Sequence, residues 1–141
     1  MLNQFLSSIN YWALLVSGAV YWILGAVRFS ALFGNIWGTE LEKHGVKIKE
    51  PSKRELLLKL IQTFVLNLVV SCGVAFIVFT TNSSTVLSAI KLGLFTGVCF
   101  SASTIGIAYT WEGKSFKLLL VDCGYPIIGI TVSAVILSLW K

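Results

Sequence analysis

Two residues near the start of the last apolar stretch could take part in chemistry, Asp122 and Pro126. A carboxylate inside an apolar run marks a functional site or an internal ion pair, because an isolated charge in a bilayer is costly. Pro126 has no N–H to donate to the carbonyl of Asp122, so we expect a bend that leaves this carbonyl beside the carboxylate. The sequence therefore predicts a polar pocket at the head of the last helix.

A basic partner for Asp122 stands at the end of the first apolar stretch. Arg28 closes that stretch and Asp122 opens the last one, so both side chains should lie at a similar depth. We expect Arg28, or as second choice Lys117, to lie within hydrogen-bonding reach of Asp122. The alternative is a protonated Asp122 that bonds to neighbouring hydroxyl groups.

Small and polar residues recur at helical spacing in each apolar stretch, as in helices that pack together in membranes. The second stretch has Thr63, Asn67, Ser71 and Ala75 at intervals of four. The first stretch has Ser17, Tyr21 and Gly25, and the last has Gly129 and Ser133 on the face of Asp122. The candidate intramembrane polar site comprises Arg28, Asn67, Asp122, Tyr125 and Pro126.

The third apolar stretch contains a ladder of small residues with G-x-x-x-G at its centre. Its members are Ala89, Gly93, Gly97 and Ser101. Small residues at this spacing let a second helix backbone approach closely. We expect the ladder to pack first against another helix of the same bundle, with the second stretch as the nearest candidate, and only second across a subunit boundary.

The composition requires lipid as the solvent. Of 141 residues, 56% are hydrophobic and 12% are charged, and a soluble domain of this size could not cover so much apolar surface. About 20 apolar residues cross a bilayer. The sequence predicts one all-α domain, residues 1–141, that packs four transmembrane helices into a compact bundle. The spans are expected at about 9–32, 57–79, 86–109 and 116–140, and the first is read as retained rather than cleaved.

The basic residues predict the orientation. Most of them fall in the loops after the first and third spans, which the positive-inside rule assigns to the cytoplasm. We therefore expect a multi-pass protein of a bacterial inner or plasma membrane with both termini outside. The net charge of +5 indicates topology rather than a nucleic-acid partner. Capping patterns in the polar loop predict a short interfacial helix from Thr39 and Glu42, and a second helix that begins at Ser52 and Glu55.

The sequence offers no set of residues typical of an enzyme. There is no Ser/His/Asp set, H-E-x-x-H motif or phosphate-binding loop. His44 stands alone, and the three cysteines lie in apolar runs without C-x-x-C spacing. We therefore expect no catalytic residues, no metal site and no cofactor.

Three segments carry a resemblance to a known family. They are Leu32-Phe33-Gly34-Asn35-Ile36-Trp37, Glu112-Gly113-Lys114-Ser115-Phe116-Lys117-Leu118 and Val121-Asp122-Cys123-Gly124-Tyr125. They are similar to the patterns L-F-G-x-x-W, E-G-(K/R)-x-x-K-L and I-D-x-G-Y. With the four-span layout, the chain resembles the bacterial and fungal membrane proteins grouped as domain of unknown function 1761. The resemblance implies the architecture and no known activity.

The chain departs from that family pattern at two places. Arg28-Phe29-Ser30-Ala31 stands where the pattern has W-Y-S-P, and Pro126 stands where it has histidine after G-Y. The loss of this histidine argues against a proton relay through the last span.

Two classes of function remain. The first is a membrane-embedded interaction or accessory module, in contact with the lipid bilayer and with itself or another membrane protein, in which the stripes are packing surfaces. The second is a channel or small-solute transporter built from oligomers, with the polar stripes along its path. The first is favoured because small-residue stripes occur in most helix bundles. A water-filled path to Asp122 and Asn67 would favour the second.

Overall fold

The computed structural model describes residues 1–27, 42, 45 and 52–140, and these are helical apart from turns and helix ends. The α-helices are α1 Leu2–Ser8, α2 Tyr11–Val27, α3 Lys53–Thr80, α4 Val86–Thr96, α5 Ser103–Glu112 and α6 Phe116–Leu139, with a π-helical segment Gly97–Ala102 between α4 and α5. By length and composition, three stretches could cross a membrane: α3, the run Val86–Glu112 and α6. The number is four if α1 and α2, whose axes differ by 85°, form one bent span.

A sharp bend lies at the start of the first predicted span. The span was expected to begin at about residue 9, and α2 begins at Tyr11, whereas the short helix α1, which ends at Ser8, was not predicted. The side-chain oxygen of Asn10 accepts hydrogen bonds from the N–H groups of Trp12 and Ala13, at 3.1 and 3.2 Å. This arrangement satisfies free N–H groups at the start of α2 and fixes the bend. The expected end of the span at residue 32, and the expected interfacial helix from Thr39, lie outside the described residues.

The start of α3 is as the sequence predicts. The N–H of Ser52 donates to Glu55 Oε2 at 2.8 Å, and the N–H of Glu55 donates to Ser52 Oγ at 3.3 Å. This capping box is confirmed. The helix then continues without a break to Thr80, because its interior contains no proline and a single glycine, Gly73.

Helix α6 is the central element of the described part. It packs against α2, α3, α4, the π-helical segment and α5. Contact between α3 and α4 is sparse, although only a short turn joins them. The expectation that the glycine ladder packs against the second stretch is therefore wrong. A turn determines which helices are consecutive in the chain, whereas side-chain packing determines how each helix is rotated and how closely the two helices lie.

The core is built from small and aromatic side chains. Phe5 of α1 packs edge-on against Phe76, with ring centroids 5.3 Å apart, and tilted against Phe79 at 5.6 Å. Further core residues come from α2, α3, α4 and α6: Ala13, Tyr21, Val74, Ala75, Val78, Ala89, Ile130, Ala134 and Leu137. Many large apolar side chains lie on the outside instead, which is compatible with a membrane protein.

Candidate functional site

The turn between α5 and α6 places the head of α6 against the end of α5. Gly113 has a φ of +63°, which glycine adopts without a steric penalty, and its N–H bonds back to the carbonyl of Tyr109. Ser115 Oγ then accepts from the N–H of Leu118 at 3.3 Å and caps α6. A left-handed glycine followed at once by a capping serine reverses the chain direction within a few residues. Side chains at mirrored distances from the turn therefore meet.

Tyr109 and Asp122 meet in this way. The hydroxyl of Tyr109 donates a hydrogen bond to Oδ2 of Asp122. Over the face of the same ring, Lys114 Nζ lies 4.5 Å from the ring centroid. Lys114 also pairs with the Glu112 carboxylate, and this hydrogen bond raises the pKa of Lys114. Charged and aromatic groups of the turn thus surround the head of α6.

The predicted partners of Asp122 have different outcomes. Arg28 lies outside the described residues, so this pairing stays a prediction. Lys117 is exposed, and within the described residues it forms no ion pair with Asp122, so the second choice is wrong. Lys117 follows the α6 cap by two residues and projects from a different face of the helix than Asp122. Tyr109 was not predicted as a partner of Asp122, although Tyr109 stands six residues before Ser115 in the turn and Asp122 seven residues after it.

A second polar contact lies deeper in the bundle. The hydroxyl of Tyr125 donates to Asn67 Oδ1 at 3.1 Å and lies 3.5 Å from the carbonyl oxygen of Tyr21. Asn67 is 8% exposed and Tyr21 is 3% exposed. This contact joins α2, α3 and α6 in the interior, where a polar group without a partner would be costly.

Two glycines make room for the two tyrosines. A Cβ on Gly129 would lie 2.1 Å from the Tyr21 ring, and a Cβ on Gly25 would lie 3.0 Å from the Tyr125 ring. Each tyrosine therefore covers a glycine of the opposite helix. The two rings lie side by side, with centroids 5.1 Å apart. The glycines in the stripes of α2 and α6 are thus explained by ring packing.

One helical turn further along lies a set of buried hydroxyl groups. Ser17 Oγ donates to Ser71 Oγ at 3.2 Å, and both residues are fully buried. Ser133 is also fully buried, and among the described residues its Oγ has no hydrogen-bond partner. Going back four residues on α2 corresponds to going forward four on α6, as the contacts Gly25–Tyr125 and Tyr21–Gly129 show. The next pair in this series is Ser17 and Ser133. Of the hydroxyls at this level in the described part of the chain, only that of Ser133 is unpaired.

The structure brings together only part of the predicted polar site. Asn67 and Tyr125 are bonded, and Asp122 lies nearly one turn before Tyr125 on α6. Pro126 is buried, and α6 continues through it to Leu139. Asp122 bonds to Tyr109 and Tyr125 bonds to Asn67, so two side chains near the freed carbonyl have direct partners, and the expected pocket stays a prediction.

The glycine ladder lies against the backbone of α6. A Cβ on Gly93 would lie 2.4 Å from Thr131 Cα, and one on Gly97 would lie 2.8 Å from Ile127 Cα. Ala89 is fully buried and Ser101 is half-buried. Just beyond the ladder, Cys123 Sγ lies 3.6 Å from the carbonyl oxygen of Ala102, the last residue of the π-helical segment.

The comparisons with known proteins agree with the motifs in this region. The family described as "Protein of unknown function (DUF1761)" matches residues 12–138. The match includes Tyr109, Asp122, Tyr125 and Asn67. No curated protein and no solved structure shows a significant match to the chain.

Proposed function

The chain belongs to the DUF1761 family, and from this premise we propose that it is a four-span membrane protein that serves as an interaction module. In this proposal α1 lies along the outer interface, both termini are outside, and the spans are α2, α3, the run Val86–Glu112 and α6. The interior polar groups hold the helices in register. The outer face of the third span contacts a second copy of the chain.

The observation that carries this proposal is the direct bond between Tyr125 and Asn67. A solute path through the bundle would have to pass the polar groups of the interior, but Asn67 is 8% exposed and its Oδ1 accepts a hydrogen bond from the Tyr125 hydroxyl. A cavity of about 290 Å³ is lined on α3 by Ala75, Val78 and Phe79, at least about 12 Å further along that helix. These contacts favour a packed interior over a channel.

The third span supplies the docking face. Of its 18-residue apolar stretch only 17% is buried, against 33% for the corresponding stretch of α6. Large side chains project outward along it, including Phe95, Phe100 and Ile107 at 62–63% exposed. In a bilayer such a face contacts lipid or another helix, and aromatic side chains offer a large contact area at a helix–helix interface.

Cysteine cross-linking tests this interface with residues the chain already contains. Cys99 lies in the third span and Cys72 lies on α3, and both are exposed. We expect mild oxidation in membranes to give a disulfide-linked dimer that Cys99→Ser abolishes and Cys72→Ser leaves unchanged. A dimer that depends on Cys72, or an unlinked monomer at all protein concentrations, would contradict the proposed face.

Two further measurements test the membrane placement and the closed interior. Single cysteines at Ser7 and Ser84, both exposed, should react with an impermeant thiol reagent from outside, and one at Lys47 should be protected. Vesicles that contain the protein should show no more ion or solute flux than protein-free vesicles. Flux that Asn67→Leu or Tyr125→Phe alters would support a transporter instead.

A further inference from the structure

A cavity lies at the end of the bundle opposite the α5–α6 turn. Its volume is about 290 Å³, and it is a partly open cavity where α1 and the start of α2 meet the ends of α3 and α6. The bend between α1 and α2 forms it, because a straight helix would carry Phe5 away from α3. Phe5 instead packs on Phe76 and Phe79 and closes one side.

The lining divides into an apolar body and an uncharged polar rim. The body is formed by Phe5, Ala13, Ala75, Val78, Phe79 and Leu137. The rim carries the hydroxyl of Ser8 and the amides of Asn10 and Asn82, with Trp140 beside them. No ionisable side chain occurs among the described residues that line this cavity. A charged ligand group beside this lining would therefore have no counter-charge and would lose part of its hydration, which is unfavourable.

The volume limits the size of the ligand. A cavity of about 150 Å³ holds one benzene molecule, and ligand pockets in proteins begin at about 300 Å³. The present cavity therefore accommodates one hydrocarbon chain and excludes a pair of chains. A single-chain amphiphile fits both the volume and the lining if its end is uncharged and its chain is short enough for this volume.

We propose that this cavity binds the hydrocarbon chain of a lipid-like amphiphile, with an uncharged hydroxyl or ester group at the rim formed by Ser8, Asn10 and Asn82. Asn10 Oδ1 already accepts two backbone N–H groups, so its NH₂ group is the donor toward the ligand. The proposal goes beyond the interaction function and does not depend on it. The ligand has two sources, one chain of a bilayer lipid or a free single-chain amphiphile.

Photo-cross-linking in detergent micelles tests the site without requiring a membrane. The probe is a monoacylglycerol with a diazirine in its chain, and the labelled peptides are identified by mass spectrometry. We expect label on peptides that contain Phe5, Val78 or Leu137. Decanol should compete at least about tenfold better than decanoate or decyltrimethylammonium, since only the charged competitors carry an ion into an uncharged rim.

Two variants test whether the probe binds in this cavity. Ala75→Leu places a larger side chain into the cavity and should reduce labelling severalfold, whereas Ala108→Leu on the exposed face of α5 should not. Asn82 has a φ of +50°, so Asn82→Gly removes the amide and keeps the backbone conformation. This variant should fold normally and lose much of the preference for decanol over an alkane of equal length.

A second probe distinguishes the two sources of the ligand, a bilayer lipid and a free single-chain amphiphile. A phospholipid with a diazirine in one chain, used in lipid nanodiscs, labels the cavity peptides if a bilayer lipid enters the site. Cavity labelling by the monoacylglycerol alone indicates a free amphiphile. The proposal is overturned if both probes label the exposed apolar faces in proportion to exposure and Ala75→Leu changes nothing. That result leaves the dimer and flux measurements unaffected, so the two proposals fail separately.

Discussion

The hydroxyl of Tyr109 donates a hydrogen bond to the carboxylate of Asp122 across the turn between α5 and α6. Both side chains are half-buried. The bond therefore stabilises a carboxylate at the head of an apolar helix, and it ties the end of the third span to the start of the fourth.

Tyr109→Phe should lower the stability of the folded protein. The ring is retained, but Asp122 loses a donor, which costs about 1–3 kcal/mol for a charged acceptor. We expect a thermal transition in detergent that is lower by several degrees. Lys117→Ala is the control, because the exposed Lys117 makes no ion pair with Asp122 in the described structure. Equal effects of the two substitutions would show that the Tyr109–Asp122 bond contributes little.

Tyr125 and Asn67 should be energetically coupled. Tyr125→Phe removes a donor from the buried oxygen of Asn67, and Asn67→Leu removes the side-chain acceptor of the Tyr125 hydroxyl, so each should cost about 1–3 kcal/mol. The double variant removes both polar groups and should be more stable than the sum of the single effects predicts. A double-mutant cycle on unfolding measures this coupling. Additive effects would mean that the two groups do not interact in the folded protein.

The glycine ladder should tolerate no side chain at Gly93. A Cβ there would lie 2.4 Å from the Cα of Thr131, so Gly93→Ala must push α4 away from α6 and should destabilise by about 1–3 kcal/mol. Gly73 on α3 is the matched control, because a Cβ at that position meets nothing within 4 Å. Gly73→Ala should leave stability unchanged or raise it by about 1 kcal/mol. If Gly93→Ala changes the assembly size while leaving monomer stability intact, the ladder is a subunit interface.

Ser133→Ala should be neutral or stabilising. Its hydroxyl is fully buried, and the described structure gives it no hydrogen-bond partner, so removal relieves an unsatisfied polar group. Ser17→Ala at the same level should destabilise by about 1 kcal/mol, because Ser71 loses its partner. Thermal unfolding of the two variants in one detergent compares them. A large loss on Ser133→Ala would show that this hydroxyl bonds to a group not described here.

Sequence reasoning succeeded where a local rule determines the structure. The capping box at Ser52 and Glu55 depends on four neighbouring residues, and it forms as predicted. The spacing of Gly93 and Gly97 correctly indicates a close helix contact, because the absence of a side chain is sufficient for it. Neither pattern contains information about the partner helix, and for that reason the wrong partner was assigned to the ladder.

The bend at Asn10 and the pairing of Tyr109 with Asp122 were not predicted. Ser7, Ser8 and Asn10 flank Ile9, so a short polar interruption separates the apolar residues of α1 from those of α2. The amide of Asn10 as a helix cap, followed by Trp12 and Ala13, is the local signal that was overlooked. The charge of Asp122 favoured basic partners as the first choice, with hydroxyl groups around a protonated Asp122 as the alternative. The structure does place a hydroxyl group, that of Tyr109, on this carboxyl group, since a phenol can donate to it as well.

The π-helical segment Gly97–Ala102 determines the rotational phase of the third span. On an uninterrupted α-helix, Tyr109 would be rotated by about 120° from Gly97, since each residue advances the chain by about 100°. The wider turn takes up about one extra residue and reduces this offset to about 20°. Gly97 and Tyr109 can therefore face α6 together, one for backbone contact and the other for Asp122. Deletion of one residue within this segment should therefore leave a regular α-helix with the same offset of about 20°, so that Tyr109 still faces α6, whereas insertion of one further residue would turn Tyr109 toward the surrounding lipid.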